Sequence, residues 1–260
     1  QKIPDDYAVS VRVTNPSGDA LWAQADSQPS SGTEPTSAWQ PGQIITDRHA
    51  VTIPSGTPPG TYAIQVVMYE VKTGAVANIV APDSRRGQIL ALGNVDVIRP
   101  SRAPPAPTIS NPIDAQWNEI ALVGTGSLPD EIGAGDSLPL TLFWQARQKP
   151  TRDYRVHVIV IDSDGGWSAS DIHRPGSATF PTRAWDFGET WVDKFQLPID
   201  AGSALGDASV FVFVTAEQSD ETLALQTRAP TRDLEIKGMV TAQDMLVHAV
   251  RIATVRIAAR

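Results

Sequence analysis

The chain has 260 residues, no cysteine and a net charge of −8, so it is long enough for two domains with their own cores and excludes disulfides, thiolate nucleophiles and cysteine metal sites. The acidic balance argues against nucleic acid as a partner, because a phosphate-binding surface needs clustered Lys and Arg. Apolar runs such as YAIQVVMY and VFVFV are strand-length and fall far short of the roughly 20 residues of a spanning helix, so no membrane insertion is expected.

Twenty-one prolines and 19 glycines between β-branched residues favour many short strands. The first is read at DYAVSVRVTNPSG (Asp6 to Gly18), where Tyr and three Val alternate, the period of a strand with one buried face. Asn-Pro-Ser-Gly ends it with turn chemistry. Trp22 falls in the following hairpin region, ahead of Asp26. The stretch PTSAWQPGQIITD (Pro35 to Asp47) leads into a strand on which Ile45, Asp47, His49, Val51 and Ile53 share a face. PPGTYAIQVVMYEVKTG (Pro58 to Gly74) reads as strand then hairpin turn, and ALGNVDVI, ending at Ile98, as a closing strand. Residues 1–98 are thus a first unit, and the proline-rich RPSRAPPAPTISNP, 99–112, is a stiff extended linker.

The second unit, 113–260, repeats the first at an offset of about 146 residues. It opens with WNEIALVGTGSLPDEIGAGDSLPLTLFWQA (Trp117 to Ala146), two strands joined by a Gly-rich loop, which has no counterpart in unit one. DYRVHVIVIDSDG (Asp153 to Gly165) then matches the first strand and turn. PTRAWDFGETWVD (Pro181 to Asp193) matches the Pro35 stretch at Pro, Thr, Ala, Trp, Gly and Asp, with Trp191, Asp193, Phe195, Leu197 and Ile199 as the facing set. ALGDASVFVFVTAEQSD (Ala204 to Asp220) and RIATVRIA, ending at Ala258, complete the repeat. The window TAQDMLVHAVRIA (Thr241 to Ala253) could place Met245, His248, Ala249 and Ile252 on one helical face, but the repeat favours a closing strand. The expected fold is all-β: two tandem β-sandwich units, immunoglobulin-like or jelly-roll-like, with seven or eight strands in the second and the opening pair missing from the first. Gln1-Lys2 aligns with Gln148-Lys149, so the face of Val9, Val11 and Val13 is expected to meet missing strands, a partner or a second copy. The chain begins without a Met or signal peptide and reads as a mature product or a fragment.

In order, LTLFWQA, DYRVHVIVIDSDG, D-x-x-x-P, PT-x-x-W-x-x-GE-x-x-x-D and PPG-x-Y resemble the β-sandwich domains appended to polytopic bacterial membrane glycosyltransferases of the dolichyl-phosphate-mannose protein mannosyltransferase type, and related envelope proteins. The resemblance covers nearly the whole chain, twice. It implies an extracytoplasmic module, secreted or attached to a bacterial cell envelope. The family's catalytic acids belong to a membrane part with no match here, so no catalytic residue carries over. Unit two departs from the pattern at Ala204-Leu205-Gly206 and at Ala208.

The repeated Asp47 and Asp193 point with apolar residues, so each needs partners. The expected ones are the N–H groups and hydroxyls of the loops that begin at Thr36 and Thr182, with Trp39, Trp144 and Trp185 as core anchors; the motif then works as a loop lock. A second reading gives Asp26, Asp47, Asp171, Asp193 and the DSDG turn at Asp162 to Ca²⁺. Trp22 and Trp167 are the candidates for an exposed, sugar-stacking indole. The histidines, His49, His157, His173 and His248, show no metal or catalytic spacing. No nucleophile stands beside a base, so no catalytic residue and no cofactor is assigned. The expected function is non-catalytic recognition of a glycan or an envelope protein. A structural spacer for a missing membrane domain is the alternative, and a hydrolase with paired aspartates a distant one.

Overall fold

The computed structural model describes residues 3–18, 20–80, 86–99, 106–219, 221–226 and 248–260. Gln1-Lys2, linker residues 100–105 and the 241–247 part of the helical window lie outside them. The chain is all-β and divides into two compact units, Gln1–Pro54 with Thr61–Ile98, and Ser55–Gly60 with Arg99–Arg260. No helix among the described residues is long and apolar enough to cross a membrane.

Unit two is a sandwich of two sheets. Its strands, with those of unit one numbered β1–β6, are β7 (Asn111–Trp117), β8 (Ile120–Thr125), β9 (Glu131–Gly133), β10 (Ser137–Ala146), β11 (Tyr154–Ile161), β12 (Trp167–His173), β13 (Thr190–Pro198), β14 (Gly206–Ala216) and β15 (Val250–Ala258). One sheet runs β13-β10-β8-β7, the other β12-β11-β14-β15-β9. Alternation puts Leu138, Leu140, Leu142 and Trp144 of β10 against Val156, Val158 and Val160 of β11 and Val210, Val212 and Val214 of β14, all essentially without exposure. The sheet of β11 and β14 also carries buried Ile159, Ile161, Phe211 and Phe213 on its other face, so both strands read as continuous apolar runs. The expected opening pair corresponds to β8 and β10. The sequence reading missed β7, which turns into β8 at Asn118, a non-glycine residue with φ +52, and starts within the expected linker. The closing strand falls where the repeat placed it, antiparallel to β14.

Unit one contributes β1 (Tyr7–Thr14), β2 (Leu21–Ser27), β3 (Gly60–Glu70) and β6 (Leu90–Val97) in the order β2-β1-β3-β6, and a small hairpin, β4 (Ile79–Val80) with β5 (Arg86–Gly87). The register repeats that of unit two: Val13 pairs with Ile64 as Val160 pairs with Val210, and the ladder to the next strand is irregular at the same place, after Val13 and after Val160. Residues 45–53 show the expected alternation, with Ile45, Asp47, His49, Val51 and Ile53 partly covered between exposed neighbours, yet form no strand. Their counterpart β13 exists as a strand because β10 pairs with it from Ser137 to Gln145. Among the described residues, unit one has no equivalent of β10.

The loop 55–60 falls with unit two, although the sequence assigned it to unit one. Its anchor is Gly56, whose carbonyl accepts the Val192 N–H at 2.8 Å. Gly56 has φ +82, and a Cβ there would sit 2.9 Å from Val192 Cγ2, so both backbone and space demand glycine.

Candidate functional site

The doubled Pro-Thr-x-x-Trp motif is a loop lock in both units, but the carboxylate it uses is not the expected one. Each copy folds into one 3-10 turn, Thr36–Ala38 and Thr182–Ala184, which turns the threonine inward. Thr36 Oγ1 accepts the Tyr7 N–H at 2.9 Å and donates to the Asp5 carbonyl at 2.7 Å. Thr182 Oγ1 accepts the Tyr154 N–H at 3.0 Å and donates to the Arg152 carbonyl at 3.1 Å. The aspartate before each Tyr answers from the other side, Asp6 accepting the Ser37 N–H and Asp153 the Arg183 N–H, both at 3.1 Å. Bonds from Ser37 hold the Asp6 carboxyl below its ordinary value. A chain end entering a sheet has unpaired backbone groups, and this reciprocal set satisfies them. Trp185 anchors its loop in the core as expected, whereas Trp39 is partly exposed and donates to the Glu34 carbonyl at 3.0 Å. The reason is again that, among the described residues, unit one has no equivalent of β10, whose side chains share the core with Trp185 in unit two.

Asp193 is buried, but its partners come from other strands. Trp144 donates its indole N–H to Asp193 Oδ2 at 3.2 Å, and His173 Nε2 lies 2.8 Å from the same oxygen. His173 Nδ1 reaches Asp171 Oδ2 at 2.7 Å, and the ring leans on Phe195 at a centroid distance of 4.5 Å. Burial alone would lower the imidazole pKa, but the charges and hydrogen bonds of Asp193 and Asp171 outweigh it and push it up to about 10. His173 is therefore an imidazolium between two carboxylates at neutral pH. In unit one Asp47 is only partly buried. It takes His49 Nε2 at 2.8 Å, from the position equivalent to Phe195, together with the N–H groups of Ser30 and Arg48. The expectation that both aspartates bond to the Thr36 and Thr182 loops is thus corrected: the loops consume their own donors, and the two Asp meet histidines.

Trp22 and Trp167 part company for a geometric reason. The sequence pairs them, but the ladders match Leu21 with Trp167 and pass over Trp22 and Ser168 at the irregular step. Because the side-chain period of a strand is two, that single step sends the two indoles to opposite faces. Trp22 is buried against Tyr62 in an edge-on contact of 5.4 Å, which removes it as a ligand candidate. Trp167 is 43% exposed, much as its register counterpart Leu21 is in unit one, at 41%. It lines an open groove of about 350 Å³ with Ser168, Ala169 and Ser170 of β12 and Pro198, Ile199 and Asp200 at the end of β13.

Asp162 holds this groove from behind. Its Oδ1 accepts the N–H groups of Asp164 and Gly166, and its Oδ2 the Ser168 hydroxyl at 3.2 Å and the Ala204 N–H at 3.1 Å. Burial raises the Asp162 pKa, but these four donors outweigh it and leave the carboxyl below its ordinary range. The Ser168 carbonyl accepts the Asp200 N–H at 2.7 Å, tying the two walls together. Of the acids considered for Ca²⁺, the structure brings together Asp171 and Asp193, through His173; Asp26 instead faces the Tyr69 hydroxyl at 3.5 Å. No group of three or more His, Asp or Glu side chains is placed so that it could hold a metal ion among the described residues. The sequence reading gave His173 no role, took Asp162 only as part of a Ca²⁺ candidate turn, and did not single out Asp200. A signal for the first was the Asp-x-His spacing of Asp171 and His173, which puts both on one face of a strand. The chain matches no protein-family model, and no curated protein is significantly similar to it.

Proposed function

We propose that this chain is a non-catalytic recognition module whose unit two binds a saccharide in the Trp167 groove. The observation that carries the reading is an indole 43% exposed on the wall of an open groove that also presents serine and aspartate side chains. An exposed aromatic face covers the C–H face of a pyranose, and hydroxyl and carboxylate groups beside it bond to the ring hydroxyls. The groove is rigid, since Asp162 fixes Ser168 and the Asp200 N–H crosses to its carbonyl, so little order has to be imposed on binding. The non-catalytic reading rests on the Asp171–His173–Asp193 cluster: an imidazolium held by two carboxylates cannot accept a proton near neutral pH. The extracytoplasmic, envelope setting rests on the sequence resemblance.

A saccharide array followed by titration of the Trp167 fluorescence tests the reading. Trp167→Ala is expected to weaken binding by at least about tenfold, the loss typical of an aromatic anchor, with the unfolding midpoint unchanged because the side chain is at the surface. Equal binding by the variant, or no saccharide bound by the parent chain, would defeat it. The second outcome would favour a structural spacer, a reading supported by the doubled Thr36 and Thr182 motif, whose threonine hydroxyls are both spent on backbone.

A further inference from the structure

We infer that the open face of unit one is a docking surface for a β-segment patterned like residues 111–146, carried ahead of β1 on the same polypeptide. Three features of unit one point to it, each the counterpart of a unit-two feature that touches β8 or β10. The first is apolar. Tyr154, Val156, Val158, Val210, Val212 and Val214 are completely covered in unit two, where Ile120, Leu122, Leu140, Leu142 and Trp144 pack in the same core. Their register equivalents Tyr7, Val9, Val11, Ile64, Val66 and Met68 are all partly exposed. Only the end at Val13 is closed, by Trp22 and Tyr62, where unit two has the small Ser168 and Ala208. Unit one plugs one end of its face with its own aromatic pair and leaves the remainder only partly covered.

The second feature is polar. Asp193 receives the indole N–H of Trp144 from β10, and Asp47 stands at the repeat position with its carboxylate on the same partly covered face. Likewise the Tyr154 hydroxyl donates to Glu119 in the β7–β8 turn, whereas its equivalent Tyr7 remains partly exposed. A segment of the proposed kind therefore brings a tryptophan to Asp47 and a glutamate to Tyr7, a recognition more specific than apolar cover.

The third feature is the unpaired stretch 45–53, alternating like β13 but without the ladder that β10 supplies. An incoming β10-like strand pairs with it and turns it into a strand. In unit two β10 leads directly into β11 through residues 147–153, so the order of the repeat assigns the covering segment to the polypeptide ahead of β1.

The test compares the chain with a version extended at its N-terminus by a second copy of residues 109–147. Amide exchange, binding of an apolar dye and light scattering are measured on both. The extended chain is expected to be monomeric, to lose most of the dye binding, and to slow exchange at Val9, Val11, Val66 and Met68 by at least about tenfold, as for amides moved into a stable cooperative unit. In the extended chain, Asp47→Asn, or Phe in place of the added counterpart of Trp144, is expected to give back part of that protection. Unchanged exchange and dye binding on extension would overturn the proposal. So would an unextended chain that proves dimeric with Val9, Val11, Val66 and Met68 already protected, which would assign the face to a second copy.

Discussion

Replacing His173 with alanine is expected to lower the unfolding free energy of unit two by about 3 kcal/mol at neutral pH, the lower end of the cost of breaking a buried ion pair. The replacement leaves the Asp193 carboxylate buried with one donor, the Trp144 indole, and takes from Asp171 its charged partner, leaving it the Ile172 backbone N–H. The loss is pH-dependent in a defined direction. His173 has a folded pKa of about 10, above the ordinary imidazole value near 6.5, so its stabilising contribution is full below about pH 6.5 and fades as pH rises through about 10. On the acid side Asp171 is held below its ordinary value, chiefly by the His173 hydrogen bond. Its contribution is present above the ordinary carboxylate pKa and is lost as pH falls through the lowered folded value. Urea unfolding of the parent and of His173→Ala, followed by tryptophan fluorescence, should show a gap that is wide at neutral pH and closes above about pH 10. A gap of constant size across that range would show that the imidazole acts by packing on Phe195 alone.

Thr182→Val is expected to cost about 2 kcal/mol, while Thr182→Ser costs well under about half of that. Valine keeps the shape of threonine and removes the hydroxyl, so the Tyr154 N–H loses its acceptor and the Arg152 carbonyl its donor. The Tyr154 amide is buried, and an unsatisfied buried donor carries its full desolvation cost. Thr36→Val breaks the same pair of bonds in unit one, but Tyr7 is partly exposed and water replaces the lost acceptor, so the effect there is smaller. Unfolding midpoints of the four variants, Thr36 and Thr182 each to Val and Ser, together with exchange of the Tyr154 amide, check the prediction. Equal stability of the Val and Ser variants at position 182 would mean that the hydroxyl is dispensable and that Asp153 alone holds the turn.

The two locks show how far sequence reading reaches. That a loop is fastened at Thr36 and again at Thr182 was legible from the repeat itself, because a Thr held extended by Pro and followed by Trp is local chemistry. Which carboxylate completes it was not legible, since Asp6 and Asp153 lie 31 and 30 residues from the N–H groups they accept, and that distance is closed only by the fold.

By itself the sequence determined the all-β class, the strands at Tyr7, Tyr154, Gly60 and Gly206, and the closing strand at Val250. All of these are written in the period-two alternation and in turn residues that act within a few positions. Tertiary structure alone decided which indole faces solvent, which acid meets His173, and whether residues 45–53 become a strand. The physical reason is the same in each case. A one-residue step in a ladder exchanges the two faces of a strand, as it does for Trp22 and Trp167, and an extended segment becomes a strand only when a neighbour pairs with it, as β10 does with β13.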